Sequence, residues 1–256
     1  KPFNLSGKFH SEAGNTLFDN IILNAANTQV SLSGELTRPP GYVGTRLDLR
    51  ATIPSTEFLS KKLGLEWLRP GSAVLTASLE QSDNGLSLRT AELKMGNTRL
   101  LSSGTIGKLE TLDGTRLAIE LQSPDAHDLG ELLHQSDWPA LPMEAKAELG
   151  ISSGQWALSE LSARLGEATV SASGSLGSGA EIVQANLDLT VNLPSMEPLG
   201  NSLGLPALPK LPLRGSARLE LAGQKIQLDS LALDLGILSV AGIASMELTP
   251  ESGYQV

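Results

Sequence analysis

The side chains able to do chemistry are few. The only histidines are His10, His127 and His134, and on a predicted short helix His127 and Glu131 stand at i, i+4 with His134 three residues on, a spacing that can hold a divalent metal. The neighbouring segments give a plainer account. His127 occupies the column of Glu57 and Glu197, and His134 that of Gly64 and Gly204, so both read as solvent-facing positions. A serine hydrolase needs a histidine beside a serine held in a Gly-x-Ser-x-Gly turn, and no such motif occurs. No strand, glycine turn and helix with lysine marks a phosphate loop. The chain has no cysteine, which removes thiolate nucleophiles, thiolate metal sites and disulfides together. No enzyme, metal site or cofactor is expected.

Composition narrows the partners. The chain of 256 residues has 19 basic against 28 acidic residues, so it lacks the sequence-independent attraction to phosphate that nucleic-acid and polybasic membrane-surface binders use. Aromatic residues make up 4%, too few for a stacking platform on single strands. No apolar stretch approaches the length of a membrane span, and no charged-then-apolar signal opens the sequence. Neither a span nor an export address is expected within it.

The elements that must position any site follow from an internal repeat. Asn27-Thr28-Gln29-Val30-Ser31-Leu32-Ser33-Gly34 recurs 70 residues later as Asn97-Thr98-Arg99-Leu100-Leu101-Ser102-Ser103-Gly104, and again 70 on as Ala168-Thr169-Val170-Ser171-Ala172-Ser173-Gly174. A fourth version, Leu238-Ser239-Val240-Ala241-Gly242, matches after 68, which predicts a two-residue deletion in the preceding turn. Gly44-Thr45-Arg46-Leu47 matches Gly114-Thr115-Arg116-Leu117, and Pro54, Pro124 and Pro194 fall 70 apart. The expected organisation is one repeat-built body with repeats at about 1–70, 71–140 and 141–210 and a partial one at 211–256.

Each repeat reads as four alternating strands and one short helix. The first strand sets Phe3, Leu5, Gly7 and Phe9, and then Ala73, Leu75, Ala77 and Leu79 or their equivalents, against Lys8, Glu80, Glu144, Lys146, Arg214 and Arg218. The fourth sets Leu47, Leu49, Ala51 and Ile53 against Arg46, Asp48 and Arg50. Such alternation belongs to an antiparallel sheet with one solvated face. In all four second strands the apolar phase slips by one residue, at Asp19-Asn20, Arg89-Thr90, Ser159-Glu160 and Asp229-Ser230, which predicts a β-bulge at each. Gly34, Gly104, Gly174 and Gly242 mark a bend or a close approach in the third strand. Pro54-Ser55, Pro124-Asp125 and Pro194-Ser195 end the fourth strands and offer helix N-caps. Helical stripes follow at Leu59, Leu63 and Leu68, at Leu129, Leu133 and Trp138, and at Leu199, Leu203 and Leu208. The fold class expected is mainly β: an elongated, curled antiparallel sheet of about fifteen strands, a β-taco or repeating β-groove about 70 Å across at ~4.8 Å per strand.

An apolar face of that size must be covered, because soluble monomers tolerate only a few hundred Å² of exposed apolar patch. The sheet can fold over itself as a dry sandwich, be plugged by its helices, or form a gutter that holds an apolar ligand. Small residues at mid-face and the scarcity of aromatics favour the gutter.

In its 70-residue period, its Ser33-Gly34-Glu35-Leu36 and Ser173-Gly174-Ser175-Leu176 strand endings and its Pro54-Ser55 helix entry followed by Leu59, the chain resembles the AsmA-like superfamily of Gram-negative envelope proteins, which includes the AsmA, TamB and YhdP types. The resemblance covers essentially the whole chain. It implies a segment of a periplasmic protein anchored in the inner membrane by a helix outside this sequence, with a β-groove akin to that of bridge-like lipid transfer proteins. The partners implied are phospholipid acyl chains, carried between inner and outer membranes, and inner- and outer-membrane proteins at the ends of the parent. The groove-facing residues expected to bind lipid are Leu75, Ala77, Leu79, Leu117, Ile119, Ala147, Leu187 and Leu189. The alternative is an envelope scaffold, or a polypeptide-binding assembly factor for outer-membrane or secreted proteins, which charge on the inward face would favour.

Overall fold

The computed structural model describes residues 3–25, 27–38, 42–57, 69–83, 85–108, 110–134, 138–178, 184–197, 209–223 and 225–247. The protein is mainly β. Its elements are β1 (Phe3–Glu12), β2 (Asn15–Ala25), β3 (Thr28–Leu36), β4 (Arg46–Ile53), β5 (Ala73–Ser82), β6 (Gly85–Met95), β7 (Thr98–Ile106), β8 (Arg116–Ser123), α1 (Ala126–Leu132), β9 (Met143–Ser152), β10 (Gln155–Leu165), β11 (Ala168–Ser178), β12 (Gln184–Leu193), β13 (Leu213–Ala222), β14 (Lys225–Asp234) and β15 (Ser239–Glu247). Two compact units are formed, Lys1–Ser123 with Asp128–Ser136, and Pro124–His127 with Asp137–Val256.

In the first unit β1 to β8 pair in sequence order, every pair antiparallel. In the second, β9 to β15 do the same. The strand order is therefore that of an open antiparallel sheet, where the sequence predicts a curled one.

The bulges fall where the apolar phase slips. Register shifts separate Phe18 from Ile21 in β2, Leu88 from Ala91 in β6, Leu158 from Leu161 in β10 and Leu228 from Leu231 in β14. In β2 and β14 a non-glycine residue takes the left-handed conformation there, Asn20 at φ 51° and Ser230 at φ 52°. The extra residue restores the alternation, so apolar side chains on both sides of each bulge stay on one face.

Pairing corrects one reading. Gly34, Gly104 and Gly174 pair with Phe18, Leu88 and Leu158, but the residue opposite Leu228 is Ala244, and Gly242 pairs with Leu231. The amide of Leu235 donates to the Leu238 carbonyl at 2.9 Å to close the turn. The spacing of 70 thus holds through β15, no deletion exists, and Gly242 is not the counterpart of the other three glycines. Two aligned glycines suggested the shift, whereas backbone pairing sets the register.

The three glycines have a specific cause. Their φ angles are 128°, 145° and 144°, and a Cβ on each would fall onto the carbonyl oxygen of Arg46, Arg116 or Asn186 in the next strand. They permit close approach of β4, β8 and β12. Among the described residues β15 pairs with β14 alone, so no carbonyl of a further strand stands at Ala244.

The strand-ending caps form as expected. The carboxylate of Asp125 accepts the His127 amide at 2.8 Å, and the hydroxyls of Ser55 and Ser195 accept the amides of Glu57 and Glu197 at 3.4 and 3.3 Å. Substituting Asp125→Ala removes the cap of α1 and is expected to lower stability by about 1 kcal/mol, measurable as a lower urea midpoint at unchanged slope. Residues 58–68 and 198–208, with the stripes Leu59, Leu63, Leu68 and Leu199, Leu203, Leu208, lie outside the described residues.

The helix α1 spans seven residues, shorter than the stripe Leu129, Leu133 and Trp138 predicts; of these only Leu129 lies within it. It stops because His134 turns left-handed at φ 56°, the C′ position at which glycine is favoured. The glycines at 64 and 204 in the same column carried that signal. Replacing His134→Gly is expected to stabilise the protein by about 1 kcal/mol, read as a raised thermal midpoint.

Candidate apolar binding face

Following the pairs across the first unit places the predicted residues in rows on one face. Leu47, Leu79, Leu88, Gly104 and Leu117 form one row; Leu49, Ala77, Ala91, Ser102 and Ile119 the next; Ala51, Leu75, Leu93, Leu100 and Leu121 the third. Leu75, Ala77 and Leu79 from β5 therefore share a face with Leu117 and Ile119 from β8. In the second unit Ala147, Leu161, Ala172, Leu189 and Ala217 form one row, and Leu187 lies in the adjoining row between Gly174 and Leu219. All eight predicted residues are half-buried. Leu49, Ala91 and Ser102 were not among the residues expected to bind lipid. Their alternation was visible, but only the register shows that they adjoin Ala77 and Ile119.

Among the described residues, the buried cluster of the first unit lies at one end of the face. Ala51, Ile53, Ala73 and Met95 are buried there, with Val30, Leu75, Leu93 and Leu132 of α1 packed against them. Beside them Thr98 and Ser123 share a buried hydroxyl–hydroxyl bond of 3.0 Å. One backbone and one side-chain bond hold α1 in place: the Arg69 amide donates to the Leu132 carbonyl at 2.7 Å, and the Asn97 side-chain amide donates to the Asp128 carboxylate at 3.1 Å. Beyond this end the aliphatic rows stay only half-buried.

The opposite face is charged and cross-linked between strands. Glu80 takes Arg46 at 3.0 Å and Arg89 at 3.2 Å, Ser78 donates to Asp48, and Asp188 takes Arg218 at 3.0 Å. Glu92 pairs with Lys94 and Arg99. Desolvation is the largest single influence on its carboxyl and pushes it up, but hydrogen bonds and charge from Lys94 and Arg99 together hold it below the usual carboxylate range. Arg218 is held above the ordinary guanidinium value by its hydrogen bond to Asp188 and that residue's charge. The aliphatic rows named above contain no Lys, Arg, Asp or Glu.

In the second unit a depression of about 640 Å³ crosses β12 to β15 around Val191, Gly215, Leu233 and Val240. Val191 and Leu233 lean over Gly215, where an added Cβ would meet them at 3.1 and 2.8 Å.

The histidines do not converge. His127, expected at the surface, is half-buried and donates through Nδ1 to the Trp138 carbonyl at 3.3 Å. Glu131 pairs with Arg69 at 3.5 Å, and His134 is exposed. Among the described residues no three His, Asp or Glu side chains gather at a metal-binding position, and no described helix is long and apolar enough to cross a membrane.

The fold and face define a mainly β protein with an antiparallel sheet whose two faces differ sharply in polarity. Compared with family models, curated proteins and solved structures, the chain matches none.

Proposed function

We propose that the aliphatic face is a repeating β-groove for phospholipid acyl chains, and that the chain is a segment of an AsmA-like periplasmic protein, anchored in the inner membrane, that conducts lipid between inner and outer membranes. The observation that carries this reading is the run of uncharged aliphatic rows that stay half-buried beyond the end against which Leu132 of α1 packs. Acyl chains lie along Leu75, Ala77, Leu79, Leu117 and Ile119 in one unit, and along Ala147, Leu187 and Leu189 in the other, with headgroups in water. Apolar contact supplies the affinity through area, at about 25 cal/mol per Å², so binding is unselective among acyl chains and no tight site is needed. Partners at each membrane lie beyond the ends of this segment.

Native mass spectrometry with lipid extraction on the purified protein tests the reading. Phospholipid at near-stoichiometric amounts is the expected result. A lipid-free, monodisperse and stable protein overturns it.

A further inference from the structure

We infer that the connections from β3 to β4 and from β7 to β8 are headgroup sites, at which Arg38 and Lys108 hold the phosphate of a bound phospholipid while Tyr42 and Leu112 rest on the upper part of its acyl chains. The inference rests on the acyl-binding reading and says where the headgroups stand. Both connections adjoin the end of the aliphatic face marked by Leu47, Leu79 and Leu117, away from the buried cluster of Ala51, Ile53, Ala73 and Met95.

The two connections are built alike. In each a threonine hydroxyl accepts the amide of the residue eight places before it, Thr45 from Thr37 at 3.0 Å and Thr115 from Gly107 at 2.9 Å. The amides of Thr45 and Thr115 donate to the carbonyls of Tyr42 and Leu112, both at 3.1 Å, and Gly44 and Gly114 turn between them at φ 89° and 86°. The shared Gly-Thr-Arg-Leu motif is thus a clasp, and what it presents does not help the fold. Tyr42 and Leu112 are held left-handed at φ 51° and 56°, a conformation that glycine or asparagine adopts more easily, and they are 44% and 40% exposed. An apolar side chain held out in this way suits a boundary between water and hydrocarbon.

Four residues before each tip stands an exposed cation, Arg38 or Lys108. Each falls two residues past the last residue of its strand, Leu36 or Ile106, the same step that separates aliphatic neighbours within a strand. Arg38 lies across the turn between β1 and β2, its Cδ 3.0 Å from where a Cβ on Gly14 would stand. Glu12, Asp83, Glu110 and Asp113 also adjoin this end of the sheet, but their counterparts 70 residues away are Ser82, Ala13, Pro40 and Val43. Acid therefore recurs in no column here, whereas Arg38 and Lys108 share one. The opposite end carries Asp128 and Glu131 of α1, and Glu131 already engages Arg69. Charge thus draws a phosphodiester to the clasped connections, where either cation can hold it.

The test uses the full chain and three probes: dihexanoylphosphatidylglycerol, dihexanoylglycerol with the same chains and no phosphate, and glycerol phosphate with no chains. Titration calorimetry gives the affinities. Arg38→Glu with Lys108→Glu is expected to weaken phosphatidylglycerol at least about threefold and to leave dihexanoylglycerol unchanged. Tyr42→Gly with Leu112→Gly is expected to raise the thermal midpoint, because the left-handed strain is relieved, and yet to weaken both lipids. All four side chains are exposed, so the variants keep their fold. Equal loss of both lipids on charge reversal, no loss of phosphatidylglycerol, or unchanged binding in the glycine variant overturns the inference and leaves the acyl-binding face standing. Glycerol phosphate bound as tightly as the phospholipid also overturns it, by giving the cations to a free anion. If neither lipid binds the unaltered protein, the acyl-binding reading fails and this inference fails with it.

Discussion

Aspartate at both Ala77 and Ala147 is expected to reduce co-purified phospholipid at least tenfold while leaving the sheet folded. Ala77 sits between Leu49 and Ala91, and Ala147 beside Leu161, so each carboxylate enters a row without charge and has aliphatic neighbours. An acyl chain lying there would have to strip water from the charge, which costs far more than the contact returns. The fold suffers less, because both positions are half-exposed and the carboxylate keeps part of its water. Native mass spectrometry reads the lipid, and circular dichroism the fold. Lipid retained at the wild-type level in a folded double variant would remove the groove reading.

The largest loss of stability is expected at Gly104 or Gly174. Alanine at either must hold a left-handed φ and drive its Cβ into the carbonyl oxygen of Arg116 or Asn186. The cost is about 3 kcal/mol, conformational strain and steric displacement together. Gly242→Ala is the matched control, since nothing lies within 4 Å of its added Cβ; it should move the urea midpoint by less than about 0.5 kcal/mol. Equal effects at Gly104 and Gly242 would show that close approach of the next strand is not what these positions require.

The contrast between Gly104 and Gly242 marks the boundary of what the sequence could reveal. Strands, alternation, bulges and caps were legible because each is a local rule written in a few adjacent residues. Asp19-Asn20 breaks a period of two whatever surrounds it, and Pro124-Asp125 offers a cap wherever a helix follows. The identity of Ala244 as the counterpart of Gly174 was not legible. It depends on which residue of β14 lies opposite, and a glycine two places away made the wrong alignment the better match. The role of the glycines was half visible: a constraint could be inferred, but not that a neighbouring carbonyl imposes it. The end of α1 was missed for a related reason. Helical spacing continues through Leu133, yet the backbone reverses at His134, and only the glycines elsewhere in that column hinted at a left-handed residue. For the candidate face, the residues could be chosen from the alternation, but their grouping into rows needed the pairing of strands distant in sequence.

The pairing of each strand with its sequence neighbours also bears on how the molecule comes to exist. In either unit, a newly made strand finds its template already folded at the growing edge, and no early strand waits for a distant residue. Such assembly by accretion keeps loop-closure costs small at every step. Its hazard is that the growing edge is always exposed until the next strand arrives, and each exposed edge presents an aliphatic face to any strand that passes. A pause in synthesis would leave a sticky intermediate, and a chaperone that shields strand edges would serve this chain better than one that encloses compact cores.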